Sequence, residues 1–108
     1  MIRKPLKVRS KAIRNAARGE ACTLRLVGVC NGDWETTVLA HVNAGGHGMA
    51  TKESDISACF ACSSCHDALD GRVQHIVGDD EKLRAVIKTL HRLIEKGVIK
   101  VKGFEYDE

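Results

Sequence analysis

The sequence has 108 residues and a formal net charge of +3, and its aromatic residues are one Trp, one Tyr and two Phe. A chain of this length fits one small domain. It contains no run of about 18 apolar residues, which excludes a transmembrane helix. The N-terminus does not resemble a signal peptide, so the five cysteines predict a cytoplasmic protein whose thiols bind metal rather than form disulfides.

The first 19 residues are basic and contain no aspartate or glutamate. The cationic side chains are Arg3, Lys4, Lys7, Arg9, Lys11, Arg14 and Arg18. Such charges suit a polyanion, because neutralising phosphates releases counterions, although a solvated tail has the same composition. Ser10 is a candidate N-cap for a short helix over residues 11–18, which Gly19 would end. We therefore expect a basic N-terminal arm at 1–19 and a domain at 20–108.

The next part of the chain is predicted to contain strands and a loop. Residues 22–28 alternate in a strand-like way. Residues 35–42 are alternating and β-branched, and this second strand carries His41 near its end. Glycines in residues 43–54 predict a loop, and residues 56–61 predict a short returning strand.

Two helices are predicted in the second half. The first covers residues 66–72. The second is capped by Asp79 or Asp80 and extends to about Lys96, and a terminal strand at 98–104 follows it. The predicted apolar face of the long helix consists of Leu83, Val86, Ile87, Leu90, Leu93 and Ile94.

The cysteines are the strongest chemical signal. Cys62 and Cys65 have the spacing of a zinc knuckle, and Cys22 and Cys30 can complete a tetrahedral site of four thiolates. Such a site would attach the N-terminal segment to the knuckle. The alternative is a set of buried cysteines without metal. Cys59 would alternate away from its neighbours in a strand, so we interpret it as a core thiol.

Two histidines are candidates for catalysis. His41 ends a predicted strand, where a backbone carbonyl commonly satisfies a lone imidazole. If Cys65 opens a helix, His66 points about 100° away from it, so the two side chains cannot share one metal. Asp70 follows four residues later on the same face as His66. A hairpin followed by a helix would place a divalent cation on the helix side of a cleft and a general base on the strand side.

Four segments together resemble the HNH endonucleases, which have a ββα-metal fold. More narrowly, they resemble the small phage and prophage nucleases of the YbcO type. The segments are LAHV at 39–42, GGHGM at 45–49, KESD at 52–55 and ACSSCHD at 61–67. The resemblance covers roughly residues 15–100. It implies a small single α+β domain with a ββα-metal core, a structural four-cysteine zinc site and a long C-terminal helix.

The resemblance also implies roles for individual residues. His41 matches the general base that activates water, and Asp55 matches the residue that orients the loop and the base. His66 matches a ligand of the catalytic cation, which would be Mg²⁺, Mn²⁺ or Zn²⁺. The structural zinc positions match Cys22, Cys30, Cys62 and Cys65.

One position departs from the family pattern. Many members carry Asp or His directly before the first histidine as a second metal ligand, and here that position is Ala40. Asp70 is the best substitute, and His47 in the glycine loop is a weaker one. Lys52, Arg72 and the N-terminal arm could hold phosphates near the cleft, although Lys52 and Arg72 could equally be surface charges.

The predicted function is metal-dependent hydrolysis of phosphodiester bonds in DNA, with no membrane association. A partner in phage recombination or replication would fit this function. The alternative, suggested by Ala40, is a zinc-stabilised nucleic-acid-binding protein without catalysis. A redox protein is disfavoured, because the Cys-x-x-Cys pair lacks a surrounding βαβ pattern.

Overall fold

The structure is a computed structural model that describes residues 7–42 and 54–103. Its elements in chain order are helix α1 (Lys11–Ala16), a short 3-10 helix (Trp34–Thr36), strands β1 (Val38–His41) and β2 (Ala58–Ala61), and helices α2 (Ser63–Leu69) and α3 (Asp79–Glu95). Together they form a small α+β domain, as predicted. No helix within the described ranges is long and apolar enough to cross a membrane.

Strands β1 and β2 pair antiparallel, and the two faces of this sheet support different parts of the core. Ala40 lies opposite Cys59, and both belong to a buried cluster that includes side chains of α2. Leu39 lies opposite Phe60, which belongs to a second cluster with side chains of α1 and α3. Side chains alternate along a strand, so β2 contributes to both clusters, and all four of its residues are buried.

Two threonines close one edge of β2. The Phe60 amide donates to the hydroxyls of Thr23 (3.1 Å) and Thr89 (3.1 Å), and its carbonyl accepts from the Thr23 amide (2.8 Å). Unpaired backbone groups in a buried strand would cost about as much as a lost hydrogen bond. This contact explains why a polar residue, Thr89, lies on the buried side of α3.

Side-chain and backbone caps fix the starts of the helices. The Ser10 hydroxyl accepts from the Ile13 amide at the start of α1, as predicted. Gly78 is the N-cap of α3, where its amide donates to the Glu81 carboxylate (2.9 Å). The prediction that Asp79 or Asp80 caps this helix is therefore wrong. Both aspartates lie in its first turn, where negative charge complements the helix dipole.

The predicted strand at 22–28 is wrong, because its amides bond elsewhere. Residues 22–28 contain bends and turns. The amides of Arg25 and Leu26 donate to cysteine sulfurs, and the Cys30 amide donates to the Leu26 carbonyl (2.9 Å). The alternating apolar residues of this segment therefore form a series of turns whose backbone amides bond to cysteine sulfurs.

The terminal strand predicted at 98–104 is not formed by residues 98–103, and Phe104 lies outside the described residues. The amides of Val98 and Ile99 donate to the Leu93 carbonyl at 2.9 and 3.2 Å. These amides satisfy a carbonyl in the last turn of α3, so they are not available for a sheet.

Four predicted elements have shifted boundaries. The helix predicted at 11–18 ends at Ala16. The strand predicted at 35–42 begins only at Val38, because Asp33 caps the short 3-10 helix that precedes it. The strand predicted at 56–61 begins at Ala58. The helix predicted at 66–72 runs over Ser63–Leu69, because the Cys62 sulfur accepts from the Cys65 amide and acts as its N-cap.

Helix α3 buries a narrower stripe than predicted. Its buried residues are Ala85, Thr89 and Leu93, whereas Leu83 and Ile87 of the predicted apolar face are exposed. Small side chains at the contact let α3 approach β2 closely. The larger apolar residues therefore lie at the margin of the contact.

Two leucines of α3 provide a matched test of this packing. Leu93 is 0% exposed, and Leu83 is 62% exposed. Leu93→Ala should lower the free energy of unfolding by about 2–5 kcal/mol, because it removes buried apolar area and leaves a cavity. Leu83→Ala should change it by less than about 0.5 kcal/mol. Urea unfolding followed by circular dichroism would measure both, and equal losses would contradict this assignment of the buried face.

Candidate active site and metal centre

Four cysteine sulfurs converge between the 22–30 segment and the start of α2. The Sγ atoms of Cys22, Cys30, Cys62 and Cys65 all lie within 4.8 Å of one another. Tetrahedral coordination with metal–sulfur bonds of about 2.3 Å places sulfurs about 3.8 Å apart. The Cys30 and Cys62 sulfurs are 3.9 Å apart. These four side chains could hold a metal ion, as the sequence predicted.

Backbone amides point at the sulfurs. The Cys65 amide donates to the Cys62 sulfur (3.4 Å), the Arg25 amide to the Cys22 sulfur (3.3 Å), and the Leu26 amide to the Cys65 sulfur (3.5 Å). Hydrogen bonds to a charged acceptor are stronger than those to a neutral one. The backbone is therefore arranged to stabilise thiolates, which are the form that binds metal.

The thiols of this cluster do not ionise alike. Burial alone would raise the pKa of Cys62, but hydrogen bonds from the Cys65 and Asn31 amides and from neighbouring thiols outweigh it and lower the pKa to about 7. Burial and neighbouring cysteines raise the pKa of Cys30 and of Cys65. Cys62 therefore becomes a thiolate more readily than Cys30 or Cys65, and a bound cation would help to bring those two thiols to the same state.

Cys59 does not belong to this cluster. Its side chain is fully buried on the sheet, and burial together with the negative charge of Cys22 raises its pKa to about 12. It is a core thiol, in agreement with the alternation argument from the sequence.

Polar contacts also tie the 30–36 segment to the start of α2. The Ser63 amide donates to the Thr36 hydroxyl (3.0 Å). The Asn31 side-chain amide donates to the hydroxyls of Ser63 (2.9 Å) and Ser64 (3.2 Å). These bonds satisfy a free amide of the first helical turn and fix the helix that carries His66.

His41, the last residue of β1, contacts a buried carboxylate. Its Nε2 atom lies 2.8 Å from Oδ1 of Asp55, and the side chains are 34% and 2% exposed respectively. An ionised carboxylate only accepts hydrogen bonds, so Nε2 carries the proton in a neutral ring and Nδ1 carries the lone pair. Asp55 therefore fixes both the orientation and the tautomer of this imidazole.

Asp55 is itself held by the N-terminal segment. Its second oxygen, Oδ2, accepts from the Ser10 amide (2.6 Å) and lies 3.9 Å from Nε of Arg14. The Asp55 amide donates to the Val8 carbonyl (2.7 Å), and the Val8 amide donates to the Ser54 hydroxyl (3.1 Å). The segment predicted to be a basic arm thus contacts the candidate site directly.

The pKa of Asp55 reflects these contacts. Burial alone would raise the pKa of this carboxyl. Hydrogen bonds from the Ser10 amide and from His41, with the charges of Arg14 and His41, outweigh burial and hold the pKa below its usual value. Asp55 is consequently an anion at neutral pH.

His66 forms a second imidazole–carboxylate pair on α2. Its Nε2 atom lies 3.1 Å from Oδ2 of Asp70, one helical turn later. Arg72 contacts the same oxygen at 3.4 Å and contacts Oδ1 of Asp67 at 3.0 Å. Apart from the four cysteines, no group of three or more histidine, cysteine or acidic side chains in the described ranges is close enough to hold an ion. His66 and Asp70 therefore offer a pair of ligands and not a complete site.

Two other predicted residues, His47 and Lys52, lie outside the described residues. Ala40, the position that departs from the family pattern, is described. Ala40 is 1% exposed and packs in the core opposite Cys59, so a side chain at this position would face the core.

Sequence reasoning missed the roles of Ser10 and Arg14 at Asp55. Ser10 was predicted only as a helix cap, which it also is. Its backbone amide also donates to the carboxylate of Asp55, which lies 45 positions away in the sequence. No local pattern signals such a contact.

Comparisons with known proteins agree with this architecture. A family model described as "Putative nuclease YbcO" matches residues 11–98. The chain is 42% identical over 92 residues to "Putative nuclease YbcO" of Escherichia coli (strain K12), a match that covers 82% of this chain and 96% of the relative. "Putative nuclease ybcO" of Enterobacteria phage 82 matches with the same identity and coverage.

A solved structure is also similar. "Structure of a putative bacteriophage protein from Escherichia coli str. K-12 substr. MG1655" has 37% identity and a TM-score of 0.62, covering 80% of this chain and all of that one. The fold and the cysteine cluster define a small α+β protein with a candidate metal centre. The chain belongs to the YbcO putative nuclease family.

The cysteine cluster predicts a clear difference between two cysteine variants. Cys65→Ser should lose tightly bound metal, because it removes one of four thiolates. Cys59→Ala should keep about one ion per chain, because this thiol is not a ligand. Elemental analysis after gel filtration would measure the metal, and Cys30→Ser serves as a second, less buried ligand variant. Equal metal content in the Cys65→Ser and Cys59→Ala proteins would contradict the site.

The Asp55 contacts predict a pH dependence of stability. The pKa of Asp55 is lower in the folded than in the unfolded chain, so its stabilisation is complete above the unfolded value of 3.8 and is lost as pH falls through the folded value. The difference in unfolding free energy between wild type and Asp55→Asn should be largest near neutral pH and shrink below about pH 4. Chemical unfolding at a series of pH values measures it. Taking the difference cancels other carboxylates such as Glu20, whose pKa is also lowered. A difference that stays constant to pH 2 would contradict this account.

Proposed function

We propose that this protein is a metal-dependent endonuclease of the HNH type that hydrolyses phosphodiester bonds in DNA. The chain's family supports a nuclease. The order of two antiparallel strands and a helix, with His41 on the first strand and His66 on the helix, agrees with the resemblance to that class. The observation that carries the proposal is the contact between His41 and the buried carboxylate of Asp55.

In this proposal His41 is the general base. Asp55 occupies Nε2, so Nδ1 can take a proton from the attacking water. The imidazolium that forms is stabilised by the adjacent anion, as a buried aspartate does in other hydrolases. His41 is partly exposed, which allows water to reach it.

His66 and Asp70 would hold the catalytic cation, Mg²⁺, Mn²⁺ or Zn²⁺. Nε2 of His66 and Oδ2 of Asp70 lie 3.1 Å apart as an imidazole–carboxylate pair, and a cation would bind in place of this contact. A bound cation would supply charge stabilisation for the phosphorane and the leaving 3′ oxygen. Asp70 would thus replace the second metal ligand that many family members carry at the position of Ala40.

The four-cysteine cluster would hold a structural Zn²⁺, for which four thiolates in a closed tetrahedral site are a common donor set. Its place at the start of α2 connects metal binding to the position of His66, which directly follows the ligand Cys65. Metal binding would thus stabilise the fold and orient the active site.

A second candidate function is a zinc-stabilised nucleic-acid-binding protein without catalysis. The buried position of Ala40 favours it, because the ligand that many HNH enzymes have there is absent. The basic N-terminal segment and the cysteine cluster would serve either function.

Histidine variants test the proposal. Wild type should nick supercoiled plasmid in the presence of Mg²⁺, Mn²⁺ or Ni²⁺. His41→Ala and His66→Ala should each lower the rate by at least about 100-fold, because one removes the base and the other a cation ligand. Gel electrophoresis of nicked and linear plasmid measures the rate.

His91→Ala is the matched control, because His91 is an exposed histidine on α3 whose Nδ1 contacts the Ile87 carbonyl of its own helix. All variants should retain the structural metal. Wild type that binds DNA but cleaves no substrate with any of these cations would replace the first function with the second.

A further inference from the structure

Helix α1 and the turn after it have one buried side and one cationic side. Ile13, Ala16 and Ala17 are buried in the cluster that also contains Phe60. Lys11 and Arg14 are three residues apart on the exposed side of α1, and the exposed Arg18 follows in the turn after the helix. We call these three residues the α1 cationic face. Because its opposite side is packed in the core, this face is held in a fixed position on the domain.

Arg14, the central residue of this face, is linked to the candidate general base through one carboxylate. Asp55 Oδ2 lies 3.9 Å from Nε of Arg14, and Asp55 Oδ1 lies 2.8 Å from Nε2 of His41. At 3.9 Å the guanidinium is near the carboxylate but not within hydrogen-bond distance of it through Nε. Its side chain is 43% exposed, so the planar fork of donors is accessible to a second anion.

Other described cations near the ends of α2 and α3 are more strongly engaged. Arg72 contacts both Asp67 and Asp70. Arg92 and Lys96 contact Glu20 at 2.8 and 2.7 Å. Binding a phosphate through these residues would require breaking short ion pairs, whereas Arg14 would give up only a longer contact.

The position of the substrate follows from the position of the base. Water activated by Nδ1 of His41 must attack a phosphorus atom a few ångströms away, on the side of the ring opposite Asp55. Arg14 lies on the Asp55 side, so the α1 cationic face is placed to meet phosphates that flank the scissile one. The six residues of α1 span about 9 Å at a helical rise of 1.5 Å per residue, and Arg18 lies two residues beyond the helix. One strand of B-DNA carries a phosphate about every 3.4 Å along its axis, so this length matches a few consecutive phosphates.

We propose that Lys11, Arg14 and Arg18 bind phosphates of one DNA strand that flank the phosphate at which the DNA is cut. The placement of these phosphates beside the cleaved bond rests on the proposed function. The α1 cationic face thereby sets the path of the substrate strand across the site. Arg14 contacts Asp55 in the free protein and one of these flanking phosphates in the complex.

The salt dependence of DNA binding tests the contact without any cleavage. Fluorescence anisotropy with a labelled duplex, without added divalent cation, gives the slope of log K against log salt for the full chain. Each lost phosphate contact lowers the magnitude of this slope by about 0.9. Arg14→Gln and Lys11→Gln should each show this loss, and Arg14→Lys should keep the wild-type slope because it keeps the charge.

Arg84→Gln on the exposed surface of α3 is the matched control, because it removes the same charge from the same residue type. It should leave the slope unchanged. An Arg14→Gln slope equal to that of wild type overturns the inference, even if the protein proves to be a nuclease. If wild type cleaves nothing but Arg14→Gln still has a reduced slope, the phosphate contact is supported while the nuclease proposal fails. If wild type cleaves, Arg14→Gln should also lower kcat/KM relative to Arg84→Gln.

Discussion

The convergence of four sulfur atoms is the constraint on which the rest of the structure depends. The cluster joins a segment of turns at 22–30 to the helix that follows β2, and these parts share few large apolar side chains. Buried thiols that ionise together repel one another, which is why burial and neighbouring cysteines raise the pKa of Cys65. A cation bound at the centre would convert that repulsion into attraction. The same four side chains would then act as a crosslink between the two segments.

Asp55 imposes the second constraint, because a buried charge needs partners. The partners come from segments far apart in the chain: the Ser10 amide, the Arg14 guanidinium and the His41 ring. None of them alone would compensate for the loss of water. The carboxylate consequently joins the N-terminal segment, the end of β1 and the residues before β2, and the geometry of the candidate base depends on all three.

The sequence predicted what local chemistry determines. The Ser10 cap and the extent of the long helix follow from residue types at short spacing, and both agree with the structure. The assembly of the four cysteines is a long-range contact that was predictable because metal chemistry identifies its members. The contact between Ser10 and Asp55 has no such chemical signature and was not predictable. Periodicity also misplaced the buried face of α3. The periodicity placed the largest apolar residues on the buried face. In the structure the close contact with β2 is made by the smaller side chains of Ala85 and Thr89. The 22–28 segment alternates like a strand, but pattern alone does not reveal amides that bond to sulfur.

The pairing of Phe60 with Thr23 and Thr89 has a consequence for the behaviour of this protein among other chains. A short apolar strand with free amides and carbonyls is a template for pairing with a strand of another molecule, and such pairing leads to aggregation. In β2 that template is filled at Phe60 by side chains of the same molecule. The hydroxyl groups of Thr23 and Thr89 thus take the place of a third strand at Phe60. This protects the free edge of β2 in the two-stranded sheet against pairing with a strand of another molecule.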